Sequence, residues 1–339
     1  MKKVFVLMSG GVDSSVAALL LKKKGYQLIG IHLKISRFCN PQDEYDARRV
    51  AEILNIPFYV IDISEDYQRE IALQLIKEYA LGYTPNPDVW CNQIVKFGFV
   101  YEKLRSLGFN YIATGHYARI KNNLICLPKD KNKDQTYFLW GIKKDILKNI
   151  IFPLGDYTKN EIRKIAKRFG LPNYAKKDSQ GICFLGKISL RDFLKEYLPE
   201  APGLIVNQEN LILGHHPGYW FFTEGQRHGL NIKDGKGPYY VALKDPKENK
   251  IIVARENEEI LYCQKIKIRD LNWFLELPPK TNKFLIRCRY RQPLTPAYFD
   301  YPKSEVIFAQ PIKGVAPGQS IVFYSQQYLI GGGIIEKRL

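Results

Sequence analysis

Apolar and polar positions follow two different rhythms along this chain, and the change between them falls near residue 199. In the first half, short apolar runs alternate with amphipathic stretches. Residues 3–7 (KVFVL) read as a buried strand, and VAALLLKKKG continues as a helix that Gly25 stops as a C-terminal cap. QLIGIHLKI (27–35) is a second strand, DARRVAEILN an amphipathic helix, and PFYVIDI (57–63) a third strand. QREIALQLIKEYALG is another helix, and YIATGH (111–116) a buried strand ending in a glycine turn. This alternation predicts an α/β domain with a parallel sheet covered by helices on both faces.

The proline-glycine stretch LPEAPGLI closes that pattern. Beyond it, short strands are separated by turn signals at DGKGP (234–238) and DPKEN (245–249), and the last stretch is β throughout: KFLIRCRYRQ, SEVIFA, SIVFY and YLIGGGIIE. The expected division is an α/β domain over 1–199, a small β-rich central domain over 200–262 and a C-terminal β-barrel or sandwich over 263–339. A chain of 339 residues is long enough for three such units, each with its own core.

Charge changes the picture. The net charge is +17, and residues 119–178 hold 15 Lys and Arg against 6 Asp and Glu. Clustered surplus of this kind points to a polyanion, with a membrane surface the weaker alternative and a solvated lysine-rich surface the plain one. No apolar run is long enough to span a bilayer, and Lys2 and Lys3 lead straight into a strand, so a cytoplasmic location is expected. The six cysteines, Cys39, Cys91, Cys126, Cys183, Cys263 and Cys288, include no C-x-x-C pair, which argues against zinc knuckles and thioredoxin chemistry.

The first strand runs into Ser9, Gly10, Gly11, Val12, Asp13, Ser14 and Ser15, then into a helix. Ligands of open α/β sheets bind at that carboxyl edge, where glycines admit an anion and the helix points free N–H groups at it. Asp13 would repel phosphate unless it caps the helix or meets a cation. Adjacent glycines do not fit the Rossmann spacing. A Walker A near-match at Gly181, Gly186 and Lys187 has Ile188 where a hydroxyl must bind magnesium, and reads as coincidence. The S-G-G-x-D-S-S pattern resembles the PP-loop of N-type ATP pyrophosphatases. That resemblance implies cleavage of ATP between its α and β phosphates, for which the lysine of an ordinary P-loop is not needed.

Two further segments carry chemistry. In TPNPDVWCNQIVKFG (84–98), Asp88 and Cys91 share a face if a helix begins there, and Asn92 and Lys96 continue it. In KKDSQGICFLG (176–186), Cys183 lies in a glycine-flanked loop behind Lys176 and Lys177, cations that would favour a thiolate. Either cysteine taken alone could equally be an inert buried thiol.

Together with IATGHYAR, NKDQTYFL, FPLGDYTKNEIRKIA, GQRHGL, RYRQ, PGQSIVFY and GGGIIE, these blocks resemble the bacterial tRNA 2-thiouridylases over nearly the whole chain. The resemblance implies a tRNA-uridine 2-sulfurtransferase that uses ATP with Mg2+ as co-substrate. It implies an ATP site at Leu7, Met8, Ser9, Gly10, Gly11, Val12, Asp13, Ser14, Leu33 and Gly115. Asn86, Pro87 and Asp88 would face the target base, Asp88 would handle protons, Cys91 would be the nucleophile and Cys183 the persulfide carrier. His116, Lys133, Asp134, Gln135, Arg289, Tyr290 and Gln319 would contact tRNA. Implied partners are tRNA-Lys, tRNA-Glu and tRNA-Gln and a persulfide-donating protein or cysteine desulfurase, with no membrane involved. An iron–sulfur cluster on Asp88, Cys91 and Cys183 is an alternative, although such clusters usually take cysteine thiolates. Another PP-loop ligase, or a tRNA-binding module with a vestigial ATP site, is the rival reading of function.

Overall fold

A computed structural model describes residues 2–178, 184–186, 188–275 and 282–339. The first sheet is built from β1 (Lys3–Leu7), β2 (Gln27–Lys34), β3 (Phe58–Asp62), β4 (Tyr111–Ala113) and β7 (Ile150–Ile151), in the order β3-β2-β1-β4-β7. All four pairings are parallel. In β1 alternate residues serve opposite faces, because a strand's side chains have a period of two. Val4 and Val6 pack with α1 (Val12–Lys23), α2 (Pro41–Ile53) and α5 (Lys159–Arg168), while Phe5 and Leu7 pack with two long helical segments, α3 (residues 64–80) and α4 (residues 87–105). A strand buried on both faces reads as an unbroken apolar run, as KVFVL does. From β1 the chain winds outward to β3, then returns to β4 on the other side. The carboxyl ends of β1 and β4 therefore form the crevice where such sheets bind ligands.

The central sheet has the order β10-β11-β8-β9, from β8 (Gly203–Val206), β9 (Ile212–His216), β10 (Tyr239–Asp245) and β11 (Lys250–Arg255). The last unit contains β12 (Tyr262–Trp273), β13 (Lys283–Arg287), β14 (Thr295–Asp300), β15 (Glu305–Lys313), β16 (Ser320–Ser325) and β17 (Tyr328–Arg338). It is a closed antiparallel barrel, because the long strand β12 pairs with β15 on one side and β17 on the other. Closure gives each of these six strands a partner on both sides among the described residues, and an aromatic cluster of Trp273, Phe284, Phe299 and Phe323 fills the interior.

Three local features refine the sequence reading. YIATGH is a strand to Ala113 and then leaves the sheet at the expected glycine; Gly115 lies so close to α1 that a Cβ there would sit 2.7 Å from the Ser14 nitrogen, so glycine is required. His215 and His216 end strand β9, and buried His216 accepts from the Gly218 amide at Nδ1 and bonds the Asn249 carbonyl through Nε2. The hairpin of β5 (Arg119–Lys121) and β6 (Leu124–Cys126) leaves the first sheet and joins the barrel through β17. Among the described residues no helix is long and apolar enough to cross a membrane.

Candidate active site

The loop after β1 owes its shape to its own side chains. Gly10 adopts φ +76°, and a Cβ there would meet the Asp43 carbonyl oxygen at 2.1 Å, so only glycine lets α2 lie against the loop. Gly11 is the N-cap of α1 without a capping side chain. Its carbonyl instead accepts from Ser14 Oγ at 3.1 Å and Ser15 Oγ at 3.0 Å, while Ser14 Oγ also accepts from the Ser9 amide. Ser9 is exposed at the crevice mouth, Leu7 and Met8 are buried beneath it, and half-buried Leu33 is the last residue but one of β2.

Asp13 meets the cation that its place in a phosphate loop requires. Lys159 Nζ donates to both carboxylate oxygens, at 2.7 and 2.8 Å, and the Tyr117 hydroxyl donates to one at 2.9 Å. Lys159, 11% exposed at its side chain, also pairs with Asp178 at 2.7 Å. Asp178 in turn takes Lys133 at 2.6 Å and Arg163 at 2.9 Å. Burial pushes the Asp178 carboxyl up, but Lys133 and Lys159 outweigh it and hold the group at about 2. Behind the loop, Asn173 donates to the Gly10 carbonyl and to Ser15 Oγ, both at 2.9 Å. Lys176 bridges the Gly10 carbonyl, Asp43 and Asp46.

Lys159, Tyr117, Asn173 and Asp178 were absent from the residues singled out by sequence. One signal was available for Lys159. Thr158 and Glu161 form a capping box, which starts α5 at Lys159 and puts a cation in a first turn, where the helix dipole disfavours it. Such a lysine needs nearby carboxylates, and it has two.

The second half of the site is α4. Asn86 is its N-cap, Pro87 its first residue, and Asp88 lies in the first turn. Cys91 opens a wider, π-helical stretch to Val100. The thiol is buried, which raises its pKa; Lys96 opposes that, Asp88 reinforces it, and a hydrogen bond with Tyr67 opposes it. Cys183 lies outside the described residues, as do Gly181 and Lys187. Its neighbour Phe184 packs its ring 5.3 Å from that of Tyr67, so one tyrosine touches both the Cys91 thiol and the residue next to Cys183. Ser36 Oγ donates to the Phe184 carbonyl at 2.6 Å, and a cleft of about 440 Å3 opens between Ser36, Phe38, Tyr67, Phe184, Phe193 and Tyr197. Lys176, expected to act on the Cys183 thiol, is engaged by Asp43 and Asp46. Among the described residues no three His, Cys, Asp or Glu side chains converge as metal ligands.

The residues assigned to tRNA by resemblance are spread over the junction between the first domain and the barrel. His116 sits between the rings of Phe97 and Phe152, bonded to Thr114 Oγ1 at 2.6 Å. Burial, reinforced by Lys96, lowers its pKa well below the usual value, so the ring is neutral at pH 7. Asp134 is buried, accepts from the Thr136 amide and hydroxyl and pairs with Arg287. Gln135 accepts from the Tyr117 amide. Burial lowers the Arg289 pKa, and its guanidinium donates to the Glu224 carbonyl. Tyr290 packs against Phe138 with ring centroids 4.6 Å apart and the planes tilted by 48°. Gln319 donates to the carbonyls of Thr84 and Pro85. The basic surplus of residues 119–178 is partly internal, since Lys133, Lys159, Arg163 and Lys176 form ion pairs around the loop.

A parallel sheet with a lysine-backed serine-glycine loop at its switch point, carried in front of two β domains, defines a PP-loop nucleotide-using enzyme. Comparison with known proteins narrows this. Residues 2–187 match the family model described as "tRNA methyl transferase HUP domain", 191–255 that described as "tRNA methyl transferase PRC-barrel domain", and 263–335 that described as "Aminomethyltransferase beta-barrel domain". The chain is 41% identical to the tRNA-specific 2-thiouridylase MnmA of Chlamydia abortus, over 99% of this chain and 97% of that one. It is 42% identical to the protein of that name from Listeria monocytogenes, over 98% and 94%. A solved 4-thiouridine synthetase–RNA complex with bound ATP shares 19% identity over 54% of this chain and 44% of that one, at a TM-score of 0.39. The chain belongs to the tRNA-specific 2-thiouridylase family.

Proposed function

We propose that this enzyme replaces the C2 oxygen of the wobble uridine of tRNA by sulfur, at the expense of ATP. Family membership over almost the full chain, with a phosphate loop at the switch point of the sheet, is the observation that carries the reading. A uracil oxygen is a very poor leaving group. Attack by that oxygen on the α-phosphorus expels pyrophosphate and leaves an adenylated oxygen that can depart as AMP. The loop from Ser9 to Ser14, open to solvent at Ser9, receives the polyphosphate. Lys159 is the cation at that loop, held on Asp13 and Asp178, and its positive charge there favours the phosphate charge that accumulates in the reaction. ATP enters with Mg2+, which supplies further positive charge to the polyphosphate.

The sulfur step uses Asn86 and Asp88 at the target base, with Asp88 handling the proton. A persulfide on Cys183, donated by a sulfur-carrying protein or a cysteine desulfurase, supplies sulfur to C2. Cys91 releases it by attacking Cys183 Sγ, which leaves a Cys91–Cys183 disulfide for an external thiol to reduce. In the free enzyme Cys91 rests as a buried thiol. Its use therefore requires α4 or its surroundings to shift when tRNA binds. The wobble base already lies in a loop, so unstacking it costs little. tRNA-Lys, tRNA-Glu and tRNA-Gln are the expected substrates.

The test is reconstitution with unmodified tRNA, ATP, magnesium and a persulfide donor, read by nucleoside mass spectrometry and pyrophosphate release. The expected product is 2-thiouridine, lost in Cys91→Ser and Cys183→Ser. A methylated nucleoside in its place would overturn the reading in favour of the chemistry that the family models' descriptions mention. Pyrophosphate release unaffected by tRNA would favour a different PP-loop ligase.

A further inference from the structure

Thr84 stands two residues before Asn86, and each of its polar atoms is bonded to another part of the molecule. Its amide donates to the Pro317 carbonyl at 2.8 Å, and its carbonyl accepts from Gln319 Nε2 at 2.8 Å; both partners belong to the barrel. Its hydroxyl accepts from Lys244 Nζ at 3.1 Å and lies 3.5 Å from Thr223 Oγ1, both in the central domain. Thr84 is 6% exposed, and Gly318 packs so closely that a Cβ there would sit 2.8 Å from the Thr84 nitrogen.

Lys244 is the more costly half of this arrangement. Its side chain is 1% exposed; its ammonium donates to Thr84 Oγ1 and to the Phe222 carbonyl, both at 3.1 Å, and pairs with Glu224 Oε2 at 3.5 Å by charge alone. Burial lowers the Lys244 pKa and raises that of Glu224, the sign of two charges held out of water. An apolar pair would join two domains as well or better. An ammonium held by two hydrogen bonds and a buried carboxylate gives direction, and one of those bonds goes to the Thr84 hydroxyl.

The sequence from Thr84 makes that direction matter. Pro85 and Pro87 each lock φ, so few torsions separate the anchored residue from the first turn of α4. Holding Thr84 therefore sets the entry of α4 and, with it, Asn86, Asp88 and Cys91.

We propose that Thr84 and Lys244 are positioning residues, a clasp by which the central domain and the barrel fix the segment that meets the target base. The role in turnover rests on the thiolation reading; the clasp itself does not. Two measurements keep them apart. Hydrogen exchange over residues 86–91 of the full chain should speed up at least tenfold in Thr84→Val, which preserves shape and removes the hydroxyl, and return to wild-type rates in Thr84→Ser. In thiolation assays, Thr84→Val should lower kcat about 10- to 100-fold, with KM for ATP unchanged, because small misplacements of reacting groups cost that much. Lys244→Met should do the same, and where it fails to fold, Thr84→Val decides. Unchanged exchange in Thr84→Val overturns the clasp. Faster exchange with unchanged kcat overturns its role in positioning. A wild-type enzyme that makes no thiouridine sinks the functional reading while the exchange data still judge the clasp.

Discussion

Replacing Lys159 by methionine separates the two roles that this side chain can have. In the free enzyme its ammonium lies 2.7–2.8 Å from both oxygens of Asp13 and 2.7 Å from Asp178. Removing one partner of a fully buried pair costs about 3–5 kcal/mol. Here the loss is smaller. Asp178 keeps Lys133 and Arg163, and Asp13, 30% exposed at its side chain, keeps water and the Tyr117 hydroxyl. A destabilisation of about 1–3 kcal/mol follows, the cost of an unsatisfied, partly hydrated acceptor. The effect on ATP is separate. A charge-assisted hydrogen bond to phosphate contributes about 1.5–3 kcal/mol, and its loss raises KM for ATP roughly 10- to 150-fold. Urea unfolding measures the first quantity, and tRNA-dependent pyrophosphate release at varied ATP measures the second. The double variant Lys159→Met, Asp13→Asn should recover most of the stability, because no carboxylate is orphaned, and none of the ATP affinity. A KM for ATP within twofold of wild type, beside the expected loss of stability, would show that Lys159 only buttresses the loop.

Two further outcomes follow from the same region. Gly10→Ala and Gly25→Ala both force a side chain onto positive φ, at +76° and +78°, which costs about 1–2 kcal/mol each. Only at Gly10 does the new Cβ also strike the Asp43 backbone, whereas Gly25 faces open space, so Gly10→Ala should lower the urea midpoint more and weaken ATP binding; equal effects would contradict the close packing of α2 on the loop. Asp178, held at about 2 against about 3.9 for a free aspartate, contributes roughly 2 kcal/mol above pH 4 that disappears as pH falls towards 2. Unfolding free energies of Asp178→Asn and wild type should therefore converge over that window, and a constant difference would refute the assignment.

Much of the fold was legible along the chain because local patterns carried it. KVFVL is apolar at every central position, as a strand buried on both faces must be, and Gly25 does end α1. The loop motif was equally plain, since adjacent glycines, an aspartate and serines between a strand and a helix have few other uses. Less legible was anything that depended on residues far apart. Nothing local marks the 119–126 hairpin as part of the barrel, because β pairing is satisfied by backbone groups that any residue carries. The basic cluster overstated the free positive surface, because net charge cannot show which lysines turn inward to carboxylates.

By itself, then, the order of residues determined the α/β class, the place of the phosphate loop at the end of β1 and the kinship that names the chemistry. Tertiary structure alone decided that Lys159, 146 residues from Asp13, supplies the loop's cation, and that Tyr67 touches both Cys91 and Phe184. It alone decided that Thr84 is held by two other domains. The physical reason is one of range. Hydrophobic period, caps and turns act over a few residues and leave their mark in the string, whereas a buried charge finds its partner through the closure of loops whose length carries no such mark.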